Sequence, residues 1–214
     1  MINIRTKLIS LLASLVLLLG CDAFHQGFNT DNDKSVINGV GEVNEKNIHA
    51  DHVTELELRG VIDLHITYGS TQKFTIQAQQ NILDIISTEE TGNNILKVGI
   101  DDKYEIKNSK GVILNITTPD TITRISVMGT SNIQFHNGKS STIRFDIQGV
   151  GNIDFNDYSV DKCYLNVSGV ANCLLRVNSL LNVQLQGVGS VLYKGSPKVE
   201  QSISGVWTLQ KSAD

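Results

Sequence analysis

The chain lacks an excess of basic charge. Its 18 lysines and arginines are outnumbered by 22 aspartates and glutamates, and the net charge is -4. Such a balance leaves no electrostatic footprint for nucleic acid or an anionic membrane surface. Apolar residues never recur at helical spacing over a long window, which excludes a helical fold. No glycine-rich loop opens a helix, so Gly149-Val150-Gly151 is not a nucleotide motif. No apolar run is long enough to cross a bilayer comfortably; the longest is Leu8 to Leu19. Proline is nearly missing, with 2 in 214 residues, and Pro119 marks a break in the pattern. What remains is a chain 40% apolar, long enough for one sizeable core and rich in glycine, with 18.

The first residues read as a processing signal. Arg5 and Lys7 precede the Leu8 to Leu19 run, which has the length of a signal-peptide core. It ends Leu18-Leu19-Gly20-Cys21, and this resembles the bacterial lipobox. That resemblance implies removal of residues 1–20 and a Cys21 diacylated on sulfur. A plain secretory signal with an incidental cysteine is the alternative. Several acyl chains would hold the protein to a membrane, since each buried methylene contributes ~0.8 kcal/mol. Asp22 resembles the inner-membrane retention signal of enterobacterial lipoproteins, a rule that does not extend to all bacteria, so the choice of membrane stays open. The expected address is the bacterial cell envelope, facing the periplasm or the outside. Residues 21–47 are polar and aperiodic and read as the lipidated cysteine and a flexible tether, with a hidden first strand after Glu42 as the alternative.

From Ile48 the pattern becomes β. Leu56, Leu58, Leu64 and Ile66 alternate with polar residues around Gly60. Strands are expected at Lys73–Ala78, Ile95–Ile100 and Val112–Thr117, with a short helical or irregular piece at Asn81–Ser87. After Pro119 the sequence repeats on Gly129, Gly149, Gly169, Gly187 and Gly205, at spacings of 20, 20, 18 and 18 residues. Two before each glycine stand Val127, Ile147, Val167, Leu185 and Ile203; four after it stand Ile133, Ile153, Cys173, Val191 and Leu209. Three before it stand the polar Ser126, Asp146, Asn166, Gln184 and Ser202. Gly60 heads an early, divergent copy. One copy cannot bury its own apolar face, but copies stacked ~4.8 Å apart build one core. The glycines then mark corners, where a Cβ would not fit. Polar residues stand six beyond the apolar column after the glycine (Lys139, Ser159, Ser179), which excludes a strict hexapeptide helix. The expected fold is an all-β, right-handed β-helix or solenoid with coils of about 18–20 residues, in residues 48–214.

The units GTSN, GVGN, GVAN, GVGS and GVWT, in this order and with Gly195-Ser196-Pro197 before the last, resemble those of the bacterial head GIN domain proteins, described as putative auto-transporter adhesin heads. The resemblance spans about residues 43–210, although the literal Gly-Ile-Asn tripeptide is absent. It implies a pectate-lyase-like β-helix and a presumed role in adhesion, and it brings no catalytic residues.

Candidate chemistry is sparse. Asn132, Asn152 and Asn172, three after their glycines and followed by Ser190 and Thr208, would stack into a ladder that braces the corners or offers a polar binding row. Asp146 and Asp154 meet no second acid in their columns, which argues against a carbohydrate-active enzyme. His49, Asp51 and His52 lack a second ligand cluster and read as a solvated turn. Cys163 and Cys173 replace core residues and are expected as buried thiols, although an exported chain permits a disulfide. Trp207 stands where earlier copies have small residues, as a cap on the open end or an anchor for a partner or second subunit. No catalytic residue, metal or cofactor is expected. The function expected is binding of an extended glycan or protein by a membrane-anchored envelope protein, with homo-oligomerisation open and nucleic acid excluded. A structural envelope protein and a carbohydrate-active enzyme are the rivals.

Overall fold

The computed structural model describes residues 34–155 and 157–212. In chain order the strands are β1 (Ser35–Asn38), β2 (Val43–Ile48), β3 (Glu55–Val61), β4 (Asp63–Tyr68) and β5 (Lys73–Gln79). One helical turn, α1 (Gln80–Leu83), follows, then β6 (Ile86–Thr91), β7 (Ile95–Ile100), β8 (Tyr104–Lys107) and β9 (Ile113–Thr118). The repeat forms β10 (Arg124–His136), β11 (Lys139–Asp154), β12 (Ser159–Lys194) and β13 (Lys198–Lys211). The fold is all-β, with most strands in one large mixed sheet.

Period-2 alternation explains why these residues make strands. Odd-numbered side chains such as Ile125, Val127, Ile133 and Phe135 are buried in β10, and the same columns are buried in β11 and β12. Their even-numbered neighbours carry the polar set. Shifting the register by one residue would invert every face, so the alternation fixes the pairing. The pairing is parallel and glycine meets glycine: Gly60 opposite Gly129, Gly129 opposite Gly149, Gly149 opposite Gly169, and Gly187 opposite Gly205. A Cβ at Gly187 would strike the Gly169 carbonyl, so the row is continuous through β12. Phe135, Phe145, Phe155 and Tyr158 interlock in the core, with Phe135 and Tyr158 stacked 4.7 Å apart.

The two ends of the stack differ. Below the first copy, β7 and β9 run parallel to β3 and β4. Then β6 and β5 pair antiparallel to β7 and β9, and β2 pairs antiparallel to β5. At the other end, among the described residues, β13 pairs with β12 alone, and its column residue Ile203 is 40% exposed where its equivalents are buried. Trp207 lies half-buried on this last strand, its ring against Gly189.

One expectation needs correction. Residues 34–47 are not a tether: β1 pairs in parallel with β8, and β2, the alternative first strand after Glu42, pairs along its whole length with β5. Their side chains are mostly exposed, so the backbone ladder holds them and no apolar pattern announces them. The short helical piece expected at Asn81–Ser87 is present as α1, which buries Ile82 and Leu83, and the last two residues of that stretch begin β6. The signal segment 1–20 and Cys21 lie outside the described residues.

Candidate functional site

The glycine row generates the surface. Gly60, Gly129, Gly149, Gly169, Gly187 and Gly205 have φ between +98° and +141°. From Gly129 onward, a Cβ would collide with the carbonyl oxygen of the glycine one layer below. Left-handed backbone and close approach of two main chains therefore coincide at each corner, and only glycine tolerates both.

Beside the row runs a chain of hydrogen bonds. Asn172 donates from Nδ2 to Asn152 Oδ1 at 3.3 Å, and Asn152 donates to Asn132 Oδ1 at 2.7 Å. Asn132 donates from Nδ2 to Asp63 Oδ1 at 2.8 Å. At the other end the Ser190 hydroxyl donates to Asn172 Oδ1 at 2.9 Å. The sequence expectation omitted Asp63. It stands three after Gly60, the offset of the asparagines, so extending that column to the divergent copy would have found it.

On the other side of the row, Asp146 is clamped. Arg124 and Arg144, opposite each other in register, reach its carboxylate at 2.9 and 3.2 Å, and Asn166 donates to it at 2.7 Å. Burial pushes the Asp146 carboxyl up, but the Asn166 hydrogen bond and the two guanidiniums outweigh it and hold the pKa below the usual carboxylate value. Asp146 heads a shallow groove with Gln148, Asn166, Ser168, Gln184, Gln186, Ser202 and Ser204 along it.

Between the two polar sides stands an apolar ridge that the sequence reading did not single out. One residue after each glycine come Val61, Thr130, Val150, Val170, Val188 and Val206. The valines point outward; Val61 is 63% and Val206 73% exposed. Its signal was in the repeat itself, as the recurring Gly-Val. A row of exposed apolar side chains along one line is the kind of feature that marks an interaction surface.

Other candidates do not assemble. Asp146 and Asp154 line separate grooves, so no carboxylate pair forms between them. His52 Nδ1 lies 3.5 Å from Asp120 Oδ2, and among the described residues no group of three or more His, Cys, Asp or Glu converges. Cys163 and Cys173 are buried free thiols; burial pushes both up, Cys173 to about 12.

Residues 52–137 and again 124–197 match the sequence profile of the family described as putative auto-transporter adhesin, head GIN domain. The two matches overlap at residues 124–137 and together cover the divergent copy and most of the regular repeats. This chain belongs to the head GIN domain family. Solved structures with a similar fold include a putative adhesin from Bacteroides fragilis NCTC 9343. It is 19% identical, with a TM-score of 0.56 over 82% of this chain and 100% of that one. A putative lipid binding protein from Parabacteroides distasonis ATCC 8503 is 14% identical, with a TM-score of 0.51 over 84% of this chain and 100% of that one. At such identity the likeness concerns the fold alone. No curated protein matches the chain.

Proposed function

We propose that this GIN domain is a non-catalytic adhesion module of the bacterial cell envelope. It is carried on a lipid at Cys21 after removal of residues 1–20, and residues 22–33 act as the tether. Its parallel register at offsets of 18 and 20 residues supports coils of a right-handed β-helix. Its ligand is an extended chain lying along the stack. The observation that carries this reading is the valine ridge between the asparagine ladder and the glutamine- and serine-lined groove. An extended peptide fits it best, because alternate side chains can rest on apolar ground while its main chain meets amides on either side. A glycan is the second reading. The long polar groove favours it, although rings for sugar stacking are scarce in a chain with 6% aromatics.

The test is a peptide array and a glycan array probed with the labelled domain and with a variant carrying Val150→Lys, Val170→Lys and Val188→Lys. Retention of peptides by the parent and their loss in the variant is the expected result. Binding unchanged by the three lysines would remove the ridge from the function. Turnover of a polyuronide that disappears on mutating Asp146 or Asp154 would replace adhesion with catalysis.

A further inference from the structure

Long cations are stacked on neighbouring layers in two places, and only one of these neutralises them. Arg124 faces Arg144, and Asp146 receives both guanidiniums. Arg176 and Lys194, seven after their glycines, stand in the same relation on successive passes of β12. Their register follows from Gly195, where a Cβ would strike the Val177 carbonyl oxygen; 177 faces 195, so 176 faces 194. Neighbouring strands lie ~4.8 Å apart, and like charges directly opposite each other there repel. Among the described residues neither cation forms an ion pair.

Two positions before these cations, on the same outward side, are Leu174 and Leu192. Leu174 is 50% exposed, unusual for a leucine at a strand centre, and Leu192 is half-buried. The two cations and two leucines line one groove, with Asp154 and Ser212 at its ends. Asp154 contributes a carboxylate to the lining but pairs with neither cation, and its Oδ1 is buried without a hydrogen-bond partner. An arginine and a lysine lining the same groove suit an oxyanion, and the leucines suit the chain attached to it.

We propose that Arg176, Lys194, Leu174 and Leu192 form a binding site for an anionic amphiphile. A phosphate or carboxylate sits between the two cations, and its alkyl chain lies along the two leucines. The site is several positions beyond the valine ridge and does not depend on the adhesion reading. The chain's net charge of -4 conceals it, because the site is made by register across 18 residues.

Dodecyl phosphate, kept below its micelle concentration, is titrated into the protein by calorimetry. One molecule binds per chain, and inorganic phosphate binds at least about tenfold more weakly because the leucines gain nothing from it. Arg176→Gln with Lys194→Gln weakens dodecyl phosphate by about tenfold or more, and Arg176→Lys, which keeps the charge without the fork, weakens it less. Asp154→Asn tightens it by removing a repelling carboxylate. All these positions face outward, and circular dichroism checks the fold of each variant. Phosphatidylglycerol vesicles give the source: binding that follows the same variants identifies a lipid headgroup, and binding of free dodecyl phosphate alone identifies a soluble amphiphile. Absence of saturable binding, or equal affinity for the parent and the Arg176→Gln, Lys194→Gln variant, overturns the proposal.

Discussion

One carboxylate oxygen of Asp63 accepts both the backbone N–H and the side-chain Nδ2 of Asn132, 69 residues away in sequence, at 3.1 and 2.8 Å. An ionised carboxylate only accepts, so Asn132 must present its amide nitrogen to Asp63 and its oxygen to the next layer. The same orientation then passes to Asn152 and Asn172. Asp63→Ala should lower stability by about 1.5–3 kcal/mol, the range for hydrogen bonds to a charged group. Asp63→Asn, which keeps the shape but frees the direction, should cost less. Urea unfolding of both, with Asn132→Ala in a double-mutant cycle, measures the coupling; a coupling of zero would show the contact to be incidental.

The glycine row makes a sharper prediction. Gly149 has φ +126°, and a Cβ there would run into the Gly129 carbonyl oxygen. Gly149→Ala is expected to destabilise by at least about 2 kcal/mol, combining backbone strain with a main-chain clash. Gly92 is the control: nothing lies within 4 Å of its added Cβ. Gly92→Ala should change stability by less than about 0.5 kcal/mol. Similar midpoints for the two variants in urea would contradict the close approach.

Asp146 predicts a pH dependence with a definite sign. Its folded pKa is below the ordinary carboxylate value, because the Asn166 bond and two arginines outweigh the upward push of burial. A depressed pKa means stability that is fully present above the unfolded value, about 3.9, and is lost as pH falls through the folded value. Unfolding free energy measured from pH 6 down to pH 2 should therefore drop more steeply in the parent than in Asp146→Asn. Parallel curves would show that the clamp contributes nothing to acid sensitivity.

The thiols should be silent in the native state. Cys163 and Cys173 are buried, and burial drives both away from the reactive thiolate. In a chain with Cys21→Ser, iodoacetamide at pH 8 is expected to leave the folded protein unmodified and to add two labels after denaturation. Masses with and without reductant should agree; a 2 Da difference would reveal a disulfide.

Much of the repeat was legible beforehand because it rests on two local rules. Alternation assigned Ile125, Val127, Ile133 and Phe135 to the inside, and the recurring glycine aligned the copies. Of the minor strands only β2 was weighed beforehand, as the alternative after Glu42, and β1, β6 and β8 were not legible, for physical reasons. Strands β1 and β2 are mostly exposed and carry no clear period-2 signal, and β8 alternates over only four residues, too short a run to stand out. Strand β6 begins three residues after α1 ends and buries only Ile86, so its polar, exposed sequence did not read as a strand. Backbone partners define such strands, and backbone hydrogen-bonding groups are the same at every residue.

The sequence by itself determined the class of fold, the family and the column to which each repeat residue belongs, since spacing and alternation are properties of the chain alone. Only the tertiary structure decided which columns face one another and what they meet. It placed Asp63 beneath Asn132, gave Asp146 to two arginines, left Arg176 and Lys194 without an ion pair among the described residues, and turned the valines outward along one line. Hydrogen bonds and ion pairs reach only a few ångströms, so their partners are settled by register between distant strands.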